Sequence, residues 1–144
     1  MPKPPKPRAP KAPKPKRPFD FAQDGDFIKA LEMMLTPRHR SLSTRFGPNQ
    51  LTLLHIAVQK NDINAAKMLI ESGTHVDVLG GEYKHTFTSL IHALKYSSDD
   101  TVLALLDLGA NPRAETTCGQ DALNYALDIK RGEKVIQAIT TRLE

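Results

Sequence analysis

A short apolar signature returns three times along the chain at nearly constant spacing. Thr52-Leu-Leu-His-Ile-Ala57, Thr88-Ser-Leu-Ile-His-Ala93 and Asp121-Ala-Leu-Asn-Tyr-Ala126 align without gaps, with closing alanines 36 residues apart (57 to 93) and then 33 apart (93 to 126). Each is followed by a second apolar cluster: Ala66, Leu69 and Ile70 ending at Gly73, then Val102, Leu105 and Leu106 ending at Gly109, then Val135, Ala138 and Ile139. Phe21 lies 36 residues before Ala57 and, with Ala22, Gly25, Ala30, Met33 and Met34, makes a fourth copy trimmed at its N-terminus. A period of this length marks one supersecondary unit that cannot hide its apolar face alone, so neighbouring units must stack and share a seam.

The pattern predicts inner helices over 52–60, 88–96 and 121–130, each followed by an outer helix over 62–72, 99–108 and 133–143. Thr52 and Thr88 stand where side-chain oxygens cap inner helices, and Asp62 and Asp99 suit the outer starts by capping or by the helix dipole. Gly73 and Gly109 fall where a helix end favours a left-handed residue, and Gly119 serves as a turn residue before the third inner helix.

These residues resemble the ankyrin repeat, whose consensus runs T-P-L-H-x-A and later L-L and G-A. The likeness covers 19–144 and is strongest in Leu54-His55-Ile56-Ala57 and in Leu105-Leu106-Asp107-Leu108-Gly109-Ala110. The copies depart from consensus at proline, replaced by Leu53, Ser89 and Ala122, and Asn124 replaces the histidine in the last. The resemblance implies an all-α solenoid of stacked helix-turn-helix units with hairpin connections, divided as 19–50 (a trimmed capping repeat), 51–86, 87–119 and 120–144. It also implies that His55 is structural, hydrogen-bonding between neighbouring repeats. The 36-residue spacings place extra residues in the connections near 37–50 and 74–87, with Gly80-Gly81 read as a flexible hairpin tip.

Composition changes abruptly at Phe19. Residues 1–18 hold eight of the eleven prolines and seven of the twenty Lys+Arg with no acidic residue. The remaining 13 basic residues face 16 acidic ones, so the body carries about −3 and the tail about +7. Proline fixes φ and lacks an N–H, which excludes helix and ladder and leaves polyproline II as the local geometry. The tail is therefore expected to be a disordered cationic tether whose Lys3, Lys6, Arg8, Lys11, Lys14, Lys16 and Arg17 meet a nucleic acid or another polyanion by counterion release. No aromatic residue interleaves to stack on bases, and the P-x-x-P spacings lack the flanking basic residue that sets orientation.

No nucleophile with a nearby base, carboxylate pair or phosphate-cradling glycine loop is visible in the sequence, so an enzyme and a cofactor are not expected. His75, His85 and His92 lack metal-ligand spacing, and Cys118 reads as an exposed turn residue. A single cysteine suits a reducing interior, the leader lacks an apolar core and no apolar run approaches the ~18 residues of a span, which together predict an intracellular, cytoplasmic chain, with the nucleus as the alternative for a eukaryotic source.

The resemblance implies a protein partner held on the concave face and loop tips. Outward positions after the inner alanines are Gln59, Lys60, Lys95, Tyr96, Asp128 and Ile129; the tips add Arg45, Phe46, Glu82, Tyr83, Lys84, His85, Arg113 and Glu115. Aromatic side chains dominate interface energetics, which singles out Tyr83, Tyr96 and then Phe46. Their structural alternatives are a seam cover for Tyr96, a plug in the first loop for Phe46 and a solvated Tyr83. Lys130, Arg131, Glu133, Lys134 and Arg142 give the last copy a polar outer side, and the chain is expected to be a monomer by itself.

Overall fold

The computed structural model describes residues 2–8, 13–35, 42, 44–82 and 84–143. Four helix pairs follow one another: α1 (Pro18–Gln23) with α2 (Phe27–Met34), α3 (Leu53–Gln59) with α4 (Ile63–Glu71), α5 (Ser89–Tyr96) with α6 (Asp99–Asp107), and α7 (Ala122–Asp128) with α8 (Glu133–Leu143). The one sheet among the described residues is a hairpin of β1 (Leu79–Glu82) and β2 (His85–Thr88) that leads into α5.

Local sequence sets the helix boundaries. The side chains of Thr52, Thr88 and Asp121 accept from the backbone N–H of His55, Ile91 and Asn124, each three residues on. The inner helices therefore start one residue after the positions predicted for them. Asp62 caps α4 by accepting from Ala65 N at 3.0 Å. Asp99 is instead the first helical residue of α6, where its charge favours the helix N-terminus. At the ends of α4 and α6, Gly73 (φ +113°) and Gly109 (φ +98°) take the left-handed conformation. The following N–H groups then return to carbonyls inside the helix, Thr74 to Leu69 and Ala110 to Leu105, both at 3.0 Å.

Short helices of this kind are stable only through burial. Inner helices α1, α3, α5 and α7 pack in a row. Leu54, Val58, Leu90 and Leu94 are buried along it, and Val102, Leu105, Val135 and Ile139 close the core from the outer row. Polar ties hold successive units together. Ser97 Oγ donates to Val58 O at 2.6 Å, and Asn61 Oδ1 accepts from Ser98 N at 2.8 Å and Thr101 Oγ1 at 3.0 Å. One unit further on, Arg131 donates to Leu94 O and Ser97 O at 3.1 and 3.0 Å and pairs with Asp99.

The second connection departs from the sequence reading. Gly80 and Gly81 are not a flexible tip but two residues of β1, and the Glu82–His85 pair closes the hairpin. A Cβ on Gly80 would stand 2.8 Å from the His55 ring, and one on Gly81 would lie against the His85 carbonyl while φ is +103°. Glycine is required there because the strand crosses directly over a buried side chain. The connections are also tied to one another: Gly81 N donates to Gln50 O at 2.8 Å, Thr86 N to Thr117 Oγ1 at 2.9 Å and Thr117 Oγ1 to Lys84 O at 3.1 Å.

Candidate functional site

The three connections, residues 46–51, 79–88 and 111–120, project as fingers at the N-terminal ends of the inner helices. Between fingers and helices runs a groove of about 540 Å³, reaching from Asn49 and Leu51 across Phe87, Ile91 and His92 to Gln120 and Tyr125.

Its floor is a set of packed rings. His92 lies parallel to Phe87 (centroids 5.3 Å apart, 5° between planes), edge-on to His55 at 5.6 Å and tilted to Tyr96 at 4.8 Å. His55 is fixed at both nitrogens: Thr52 Oγ1 lies 2.7 Å from Nδ1 and the Phe87 carbonyl 3.1 Å from Nε2. The consistent tautomer has Nε2–H donating to Phe87 and Nδ1 accepting from Thr52. His92 Nε2 meets Gln59 Oε1 at 3.1 Å. Burial lowers the pKa of His55 to about 4, helped by nearby Arg45, and that of His92 to about 3, helped by His55 and Lys95. Both rings are therefore neutral at pH 7, and the floor is apolar and uncharged. Tyr96, half-exposed above it, carries the Lys95 ammonium 5.1 Å from its ring centre.

Of the residues singled out in the sequence, Gln59, Glu82, His85, Lys95 and Tyr96 line this groove. The others are placed elsewhere. Arg45 is half-buried and donates to Gly81 O at 3.1 Å, tying the first finger to the second. Phe46 pairs with Leu51 and packs on Phe19 at 6.4 Å, filling the first loop from inside. Lys60, Lys84, Glu115 and Ile129 are exposed outside the groove lining. Arg113 donates to Leu143 O at 2.6 Å, and Asp128 accepts from Gln120 Nε2. Tyr83 and Lys11 lie outside the described residues. In the tail, Lys3, Lys6, Arg8, Lys14, Lys16 and Arg17 are exposed. Lys16 reaches Asp24 at 2.8 Å, a contact that raises its pKa.

Several lining residues escaped the sequence reading although the repeat alignment carries a signal for them. Leu51, Phe87 and Gln120 each stand immediately before an inner-helix cap, and all three line the groove. Ile56, His92 and Tyr125 share one repeat position, and the last two face the groove. Comparing equivalent positions, rather than counting outward from the closing alanine, identifies both rows.

Among the described residues no group of His, Cys, Asp and Glu is arranged to hold a metal ion, and no helix is long and apolar enough to cross a membrane. The family model for ankyrin repeats in three copies matches residues 20–116. A stretch of 76 residues is 37% identical to the mouse (Mus musculus) B-cell lymphoma 3 protein homolog, covering 53% of this chain and 16% of that protein. The match therefore spans a small part of the relative. Ankyrin repeats serve in general as protein-interaction modules, and theirs is not an enzyme fold. The last helix pair, α7 and α8, lies beyond the matched residues yet repeats the cap, spacing and seam of the units before it. By repeat period, capped helix pairs and family match together, this chain belongs to the ankyrin-repeat family.

Proposed function

We propose that the chain is a protein-binding adaptor or inhibitor that holds a partner polypeptide in the groove beneath its fingers, while its cationic tail attaches the complex to a polyanion. In this reading residues 1–18 are the tail and 19–50, 51–86, 87–119 and 120–144 are the stacked units. The observation that carries it is Tyr96, a 51% exposed aromatic braced by the His92 ring at the centre of a groove with amide and hydroxyl side chains along its rims. Exposed aromatic anchors on a rigid support supply large contact area at small entropic cost.

The nucleic-acid reading rests on a different observation, the run of seven cations without an acidic residue in 1–18. The two separate cleanly. Tyr96→Ser is expected to weaken capture of a protein partner about tenfold or more, as for a typical hot spot, without changing retention of the full chain on heparin. Replacing the seven tail cations with serine is expected to abolish heparin retention and leave partner capture intact. Partner capture that is indifferent to Tyr96→Ser and lost with the tail charges would overturn the groove assignment.

A further inference from the structure

We infer that the groove is regulated from within: the chain's own proline-rich segment, residues 2–17, docks across its aromatic floor and competes with the partner. The inference rests on the groove being the partner site proposed above.

Three features converge on this occupant. The first is shape. A polyproline II segment has no internal hydrogen bonds, little entropy to lose and proline rings that pack on aromatic faces, and aromatic-lined grooves with donor side chains are its recurrent receptors. Here Tyr96, Tyr125 and Phe87 supply the faces, and Gln59 and Gln120 lie beside them. The second is position. The tail joins the body at the N-terminus of α1, the same end at which α3, α5 and α7 carry their fingers, so it takes the place of a finger in the first unit. Phe19, the second residue of α1, packs on Phe46, which pairs with groove-lining Leu51.

The third is length. From α3 to α7 are two helix-to-helix steps of roughly 8–10 Å each, or about six residues of polyproline II at ~3.1 Å. The 16 residues from Pro2 to Arg17 leave ample chain for the approach. Tethering at this distance supplies an effective concentration on the order of millimolar, enough for a weak contact to compete. The described tail residues are solvent-exposed, which leaves them free to reach the groove. The lining charges Glu82 and Lys95 offset one another, leaving proline–aromatic packing as the source of recognition and the tail cations in solvent.

Cys118 makes the test direct, because the only cysteine in the chain is exposed and lines the groove. A nitroxide attached there should broaden the amide signals of Lys3, Lys6, Arg8 and Lys14 in the full chain. The broadening should persist at about 0.5 M salt, where screening confines charge attraction to a few ångströms. It should disappear in Tyr96→Ser/Tyr125→Ser and in a chain whose prolines at 2, 4, 5, 7, 10, 13 and 15 are replaced by serine, a change that keeps Pro18 at the start of α1 and leaves the body untouched. That proline variant should also bind the partner severalfold more tightly. Absence of broadening, or broadening that vanishes with salt, overturns the proposal. So does broadening seen only between a tagged chain and a separate labelled one, which assigns the groove to a second copy. Partner loss on Tyr96→Ser without any tail contact would sink the self-docking alone and leave the partner site standing.

Discussion

Between pH 7 and pH 5 the chain is expected to lose on the order of 3 kcal/mol of stability, through His55 and His92 together. In the unfolded chain both imidazoles take up a proton near their ordinary value of about 6.5. In the folded chain burial holds His55 down to about 4 and His92 down to about 3. Through this window the unfolded state binds more protons, so stability is full above pH 6.5 and falls as pH drops toward 4. Against a total of about 5–15 kcal/mol for a typical domain, the loss is large. Urea midpoints at pH 7 and pH 5 measure it, and His92→Gln should remove about half of the difference. An unchanged midpoint would show that the rings are hydrated or charged in the folded chain.

The second large effect concerns the finger that crosses His55. Gly81→Ala is expected to cost about 3 kcal/mol or more, because a left-handed backbone conformation and a collision act together. The new Cβ would meet the His85 carbonyl and, at 2.7 Å, the Phe87 ring. Gly73 has a similar positive φ but nothing within 4 Å of its added Cβ, so Gly73→Ala should cost only roughly 1 kcal/mol. Thermal or urea unfolding of the two variants compares them directly. Equal losses would mean that the hairpin shifts freely and that His55 is not held by it.

Most of the scaffold was legible because repeats repeat their chemistry. A cap at Thr52 and Thr88, a closing alanine at 57, 93 and 126 and a terminal glycine at 73 and 109 return at fixed offsets, and each has a local physical meaning that needs no tertiary information. What the sequence concealed was long-range. Gly80-Gly81 reads as a turn because glycine carries no strand signal; only the His55 ring beneath it explains why a strand there must lack side chains. Arg45 and Phe46 look like exposed tip residues until Gly81 O and Phe19 turn out to be their neighbours. His92 stands where the first copy has Ile56, and its ring completes a stack with Phe87, five residues earlier and in a different element. Tyr96 was visible from its place after an inner alanine, but the bracing that keeps it outward was not.

Hydrogen–deuterium exchange of the full chain, free and saturated with a captured protein partner, tests the central claim most directly. New protection is expected in β1, β2, α5 and residues 116–125, the elements that wall the groove, with α4, α6 and α8 unchanged. Protection confined to those outer helices would place the partner on the convex side and contradict the assignment.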